Sequence, residues 1–286
     1  MNIAFLGLHK TGKTTYAVGV YAGMSNRIYS SLELVKVTES VATLNAGLVR
    51  LSRRLTVRRT DTEETETVGL QVRTAEGELH ELRVPDRSGE ALRGTRNSRG
   101  WDPDLLEELG AADALVLFIR PGGVRPGEPV AELAAIVPPT SDAGGDVKDE
   151  EERPWAPAMM PTDVSMVDAL QELSQASGRE VFPVAVVVSA WDEVKDLTPT
   201  QWLHSRVPLL AQYLDANAHR FPSAIFGVSV QGSKFLEPKD DEEAKAMKVE
   251  IDATEPDPWD RATCVDADGS EVELVAPLVW AIRAGG

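Results

Sequence analysis

One cysteine, Cys264, stands in the 286 residues of the chain. That excludes an internal disulfide framework and most metal–cysteine clusters. Histidines are as scarce: His9, His80, His204 and His219 are scattered without the spacing of a metal site. Long apolar runs are missing too. The longest, "VFPVAVVV", falls far short of the ~20 residues that span a bilayer. Positive charge is the minority sign, with 29 Lys and Arg against 46 Asp and Glu and a net charge of -17. Such an acidic body is repelled by nucleic acid and by anionic lipid, so neither is expected as a partner. The opening "MNIAFLGLHK" lacks the charged, apolar, small-residue layout of a secretory signal, and a reduced, cytoplasmic compartment is expected. No Gly-x-Ser-x-Gly occurs. In Asp266-x-Asp268-Gly269 the glycine comes too early for a calcium loop.

What remains is 42% apolar and 26% charged, ordinary for a globular protein of one domain, and we read residues 1–286 as a single domain. A buried strand is predicted from Asn2 to Leu6, then a glycine-rich turn, then a helix from Lys13 to about Ser25. "TESVATLNAGLVRLSRR" reads as a helix behind a Thr38 cap, and "ETVGLQVRTAEGELHELRVPD" as a hairpin turning at "AEG". "WDPDLLEELG" is a helix leading into the strand "ALVLFI". Helix, strand, helix and strand follow in "PTDVSMVDALQELSQASG", "VFPVAVVVSAWD", "TPTQWLHSRVPLLAQYLDANAHRF" and "SAIFGVSV". Two stretches rich in Pro, Gly or acid, 121–160 and 233–260, read as mobile insertions. A hairpin and helix close the chain over 261–284. Strands alternating with helices predict an α/β fold: a mostly parallel sheet with one antiparallel strand, helices on both faces and inserted loops.

The chemistry begins at "GLHKTGKTTY", residues 7–16. Gly-x4-Gly-Lys-Thr after a strand and opening a helix is the phosphate-loop spacing in its demanded context. Backbone N–H groups of such a turn point at phosphate oxygens. The candidate cradle is Gly7, His9, Lys10, Thr11, Gly12, Lys13, Thr14 and Thr15. Gly12 permits close approach, Lys13 brings a point charge to the β and γ phosphates, and the Thr14 hydroxyl can ligate Mg²⁺. Three strand ends add to it. In "LRVPDRSGE", Asp86 can hold Mg²⁺ through water and Gly89 can offer its N–H to a γ-phosphate. In "VVVSAWDEV", Asp192 can accept both N1–H and the 2-amino group of guanine, a pair that adenine does not offer. In "FGVSVQG", Ser229 and the amide of Val230 can meet the base.

This order resembles the Ras-like P-loop GTPases of the translation-factor-related class. "GLHKTGKT" matches the first GTPase motif, "DRSG" the third, "SAWD" a degenerate fourth and "SVQ" a loose fifth. More narrowly, "DRSGE", "SAWD" and the closing "ELVAPLVWAI" make the chain similar to the bacterial double-GTPase (DO-GTPase) domains of conflict and signalling systems. The resemblance implies GTP and GDP as ligands, Mg²⁺ as cofactor and GTP hydrolysis as activity. In the fourth motif Ser189 and Ala190 replace Asn or Thr and Lys. Ser189 can keep the first polar contact, Ala190 has no stem to lie over the base, and Trp191 is a partial substitute by stacking.

Further roles follow from the resemblance. Glu90 stands where many relatives orient the attacking water with glutamine; it is either a slow catalytic acceptor or a solvated switch residue. A threonine completing Mg²⁺ coordination is expected in "LTVRRTDTEE", where Thr60 and Thr62 both qualify. Arg59 lies at the spacing of an arginine finger in cis, or belongs with Arg50, Arg53, Arg54 and Arg58 to a basic face read by a partner. Lys10 takes the place of a loop Asn that holds a monovalent cation in potassium-dependent relatives, so its ammonium either replaces that cation or points to solvent. The expected protein is thus a slowly hydrolysing GTP switch of a bacterial signalling or defence system. A protein effector or activating partner reads its switch segments, and a homodimer is possible. An ATP-using P-loop enzyme and a non-hydrolysing nucleotide-binding scaffold are the alternatives.

Overall fold

The computed structural model describes residues 1–39, 41–53, 55–57, 67–85, 103–127, 159–232, 242 and 261–286. The central element is a six-stranded sheet. Its first four strands, β1 (Ile3–Gly7), β5 (Ala114–Ile119), β6 (Val184–Ser189) and β7 (Ser223–Ser229), run parallel, pairing Ile3 with Ala114, Leu115 with Val184 and Val184 with Ser223. Each is fully or largely buried along its length. The reason is legible in their apolar runs, because a strand covered on both faces has no polar side to show. Side chains alternate between two cores. Ile3, Phe5, Val116, Phe118, Ala185 and Val187 face one, and Ala4, Leu6, Leu115, Leu117, Val186 and Val188 face the other. The first core is closed by α1 (Lys13–Ser25), α2 (Ala42–Ser52) and α7 (Ala276–Gly285), the second by α3 (Pro103–Gly110), α4 (Thr162–Ser177), α5 (Pro199–Arg206) and α6 (Pro208–Ala216).

At the far edge the sheet continues through β8 (Thr263–Val265) and β9 (Glu271–Val272), each antiparallel to its neighbour. Within this sheet the strand that runs against the rest is therefore β8. A second sheet of three antiparallel strands, β2 (Leu32–Val37), β3 (Thr67–Thr74) and β4 (Leu79–Pro85), brings β4 alongside β1. Strand β2 is absent from the sequence reading. Its six residues "LELVKV" are buried only at the start, and what makes them a strand is the ladder to β3.

That ladder also corrects the Thr38 cap. The Thr38 N–H donates to Gly69 O at 2.9 Å, extending the strand pairing, and α2 begins only at Ala42, after Val41 and without a side-chain cap. The long helix expected over 198–221 is two helices. Pro208 has no N–H and forces Val207 out of the helical region, to φ -137°. The expected insertions, 121–160 and 233–260, lie outside the described residues apart from 121–127, 159–160 and 242. Among the described residues no helix is long and apolar enough to cross a membrane.

Candidate functional site

The loops leaving the carboxyl ends of β1, β5, β6 and β7 lie along one edge of the sheet, the edge at which open α/β sheets bind ligands. Gly7 ends β1 in a tight place. A Cβ there would lie 2.6 Å from Thr11 Oγ1 and 2.7 Å from Phe118 O, so only glycine lets the loop turn against β5. The Thr11 hydroxyl donates to Leu8 O at 2.8 Å and closes the turn. Gly12 then precedes α1 in the left-handed conformation, at φ 85°. The first turn of α1 holds no acidic residue of its own, and the N–H groups and positive dipole end of a helix start suit an anion. Lys13 folds over the loop, its Nζ donating to Gly7 O at 2.8 Å and Leu8 O at 3.1 Å. Thr14 and Thr15 follow on the first turn of the helix, half-buried. Below the loop, Phe5, Tyr16 and Phe118 pack at 5.2 to 5.8 Å between ring centroids. Burial, foremost, raises the Tyr16 phenol well above its usual range, and its hydroxyl donates to Leu274 O at 3.1 Å.

Of the base-reading candidates, Ser189 meets this loop directly. Ser189, 7% exposed at the end of β6, sits against Gly12: a Cβ on that glycine would meet Ser189 Cβ at 3.4 Å. Ser189 thus braces the phosphate loop. Ala190 adopts a left-handed φ of 50°, a conformation that costs a non-glycine residue about 1–2 kcal/mol, and swings the chain into a single 3₁₀ turn, Trp191–Glu193. Asp192 is exposed on that turn, and the Ser229 hydroxyl at the end of β7 donates to its Oδ1. Ser229 in turn accepts from Gly232 N–H at 3.1 Å. A carboxylate is thereby held at the same edge of the sheet as the phosphate loop, by a hydroxyl whose own strand fixes its position.

Two of the candidates have their side chains engaged elsewhere. The Trp191 ring lies against the backbone of β7, where a Cβ at Gly227 would come within 2.4 Å of it, and it packs on the second core. It covers the face of β7 at Gly227. Val230, 8% exposed, presses its side chain into α1 at Gly19. Arg59, Thr60, Thr62, Asp86, Gly89 and Glu90 lie outside the described residues. Sequence reasoning passed over one pair: Arg120, directly after β5, donates to Glu193 Oε1 at 2.8 Å. An arginine following "ALVLFI" and an acid following Asp192 were the available signal.

A glycine-turned phosphate loop on a parallel sheet, facing a clamped carboxylate at the same edge, is the equipment of a P-loop protein that binds nucleoside triphosphates. The profile of the Double-GTPase 1 (DO-GTPase1) family matches residues 4–281, and the chain belongs to that family. It is a GTPase: it binds guanine nucleotide, hydrolyses GTP and has the Ras-like α/β fold of a GTP-binding switch. Among solved structures it is similar to a chain of the signal recognition particle receptor SRb-GTP/SRX complex from Chaetomium thermophilum. That likeness has 17% identity and a TM-score of 0.43, over 87% of this chain and 97% of that one. Comparison with the curated proteins gives no match.

Proposed function

We propose that the chain is a slowly hydrolysing, Mg²⁺-dependent GTP switch that acts through a protein partner in a bacterial signalling or defence system. The observation that carries the reading is the Ser229–Asp192 clamp at the sheet edge that also carries the loop of Lys13. Ser229 holds one carboxylate oxygen in place, which orients Asp192 for the paired N–H donors of guanine. Lys13 exchanges its bonds to Gly7 O and Leu8 O for phosphate oxygens, a change that ties the loop's conformation to the triphosphate. The residue types suit a magnesium ion: the Thr14 hydroxyl stands in the first turn of α1, and Asp86, outside the described residues, follows in sequence the strand β4 that lies alongside β1. When bound, the ion neutralises charge on the β and γ phosphates.

The remaining roles come from the family resemblance. Thr60 or Thr62 completes the ion's coordination, the Gly89 N–H meets the γ-phosphate, and Glu90 accepts a proton from the attacking water. A carboxylate there adds negative charge beside the triphosphate, consistent with slow turnover. Arg59 supplies positive charge to the transition state or joins the basic face that a partner reads.

Differential stabilisation tests the reading. Because ligand stabilisation follows RT ln(1 + [L]/Kd), millimolar GTP or GDP with Mg²⁺ should raise Tm by several degrees while ATP does not. Asp192→Asn should abolish the GTP shift and leave the fold intact. Equal shifts with ATP and GTP would refute the base assignment, and multiple-turnover phosphate release as fast as that of a metabolic enzyme would refute slow switching.

A further inference from the structure

On the outer side of the phosphate loop lies a cavity of about 380 Å³, bounded by the loop itself, the turn after β5, the start of α4 and Glu193. It shares His9, Lys10 and Thr11 with the phosphate loop but extends away from the nucleotide cradle: Gly12, Lys13, Thr14 and Asp192 do not line it. Its size falls within the ~300–1,000 Å³ range of small-molecule sites. The walls are of two kinds. Leu8, Ile119 and Met166 supply apolar side chains, while Lys10 and Arg120 bring cationic groups and His9 an imidazole. Glu193 answers the charge of Arg120 through their ion pair at 2.8 Å. Lys10 forms no ion pair among the described residues, is exposed, and is held at a left-handed φ of 61°. A lysine there costs about 1–2 kcal/mol where a glycine would cost nothing. The loop therefore keeps a strained cation at the rim of an apolar cavity.

We propose that this cavity is a second ligand site, for a compact amphiphilic anion: an apolar body against Leu8 and Met166, and one negative group toward Lys10. Residues 8–11 form its wall and also the turn that cradles phosphates, so its occupancy is coupled to nucleotide. By linkage the coupling runs equally in both directions. The coupling rests on this loop being the nucleotide site; the cavity does not.

The test uses 8-anilinonaphthalene-1-sulfonate as probe, with N-phenyl-1-naphthylamine as the same body lacking the anion, on the full nucleotide-free chain. Saturable binding of one sulfonate probe per chain is expected. Gly123→Trp and Gly122→Trp should block it without loss of Tm: a Cβ at Gly123 meets nothing within 4 Å, and at Gly122 only Glu193 Oε2 at 3.6 Å. Lys10→Gln should weaken the sulfonate by about threefold, the size of one partly exposed charge contact, and leave the neutral probe unchanged. Saturating GTP should shift the sulfonate's Kd by at least about twofold without displacing it, the low end of allosteric coupling. Non-saturating binding, binding untouched by both tryptophans, or equal effects of Lys10→Gln on the two probes would overturn the site. So would simple competition with GTP. If GTP fails to bind at all, the nucleotide reading falls while the probe titrations still judge the cavity.

Discussion

Gly227→Ala probes the connection between the interior of β7 and the base-reading turn. The added Cβ would lie 2.4 Å from Trp191 Cδ2 and 2.7 Å from Cε2 and Cγ. Ordinary contact begins near 3.4 Å, so the indole must retreat by about an ångström. It is backed by the second core, which is packed at crystal-like density and cannot yield freely. Overpacking of this kind costs about 1–3 kcal/mol, and at roughly 2–4 °C per kcal/mol Tm should fall by about 2–12 °C. Asp192 is the next residue along the chain, so the retreat also displaces the carboxylate from Ser229. Losing a charge-assisted contact worth about 1.5–3 kcal/mol should weaken GTP about tenfold or more, with ATP affinity unchanged. Trp191→Leu in the Gly227→Ala background should restore both quantities, as a double-mutant cycle would read. The assays are thermal unfolding and competitive nucleotide titration. An unchanged Tm would refute the contact itself. A lowered Tm with intact GTP affinity would refute the mechanical link from Trp191 to Asp192.

Two further outcomes are expected. In Gly7→Ala the new Cβ would lie 2.6 Å from Thr11 Oγ1 and 2.7 Å from the Phe118 carbonyl oxygen; it should lower Tm by a margin similar to Gly227→Ala and weaken GTP and GDP alike, because the phosphate cradle itself moves. Glu273 tethers the start of β2 to the C-terminal segment: burial pushes its carboxyl up, but four hydrogen bonds from Ser30 and Ser31 outweigh this and hold it below the ordinary 4.5. A depressed carboxylate contributes stability above its unfolded pKa and loses it as pH falls through the folded one. Glu273→Gln should therefore be less stable than the parent at neutral pH, with the gap closing below about pH 4.5 as denaturant titrations at several pH values would show. A gap independent of pH would refute it.

Much of this site is written locally. A phosphate loop needs glycine where the backbone turns sharply, a lysine and a hydroxyl at a helix start, and an apolar strand before it. All of these are neighbours in sequence, so the motif from Gly7 to Thr14 was legible residue by residue. The same holds for the buried strands β5 and β6, whose apolar runs leave no other place for them. Asp192 was legible as a strand-end carboxylate, but its clamp was not, since Ser229 lies 37 residues further on and reaches it only because β6 and β7 pair in parallel. Trp191 shows the same limit in reverse. Its composition invites stacking on a base, yet the bare backbone of Gly227 gives the ring a closer surface.

The sequence by itself determined the four buried parallel strands and the helices between them, the phosphate chemistry and the acidic body, because periodicity, turn residues and charge act over a few neighbours. Tertiary structure alone decided that "LELVKV" is a strand, that β8 is the reversed strand, that Ser189 braces Gly12, and that His9, Lys10 and Arg120 share one cavity. The physical reason is common to all four. Each depends on which backbone or side chain arrives from a distant part of the chain, and that is set by sheet pairing and core packing rather than by any local preference.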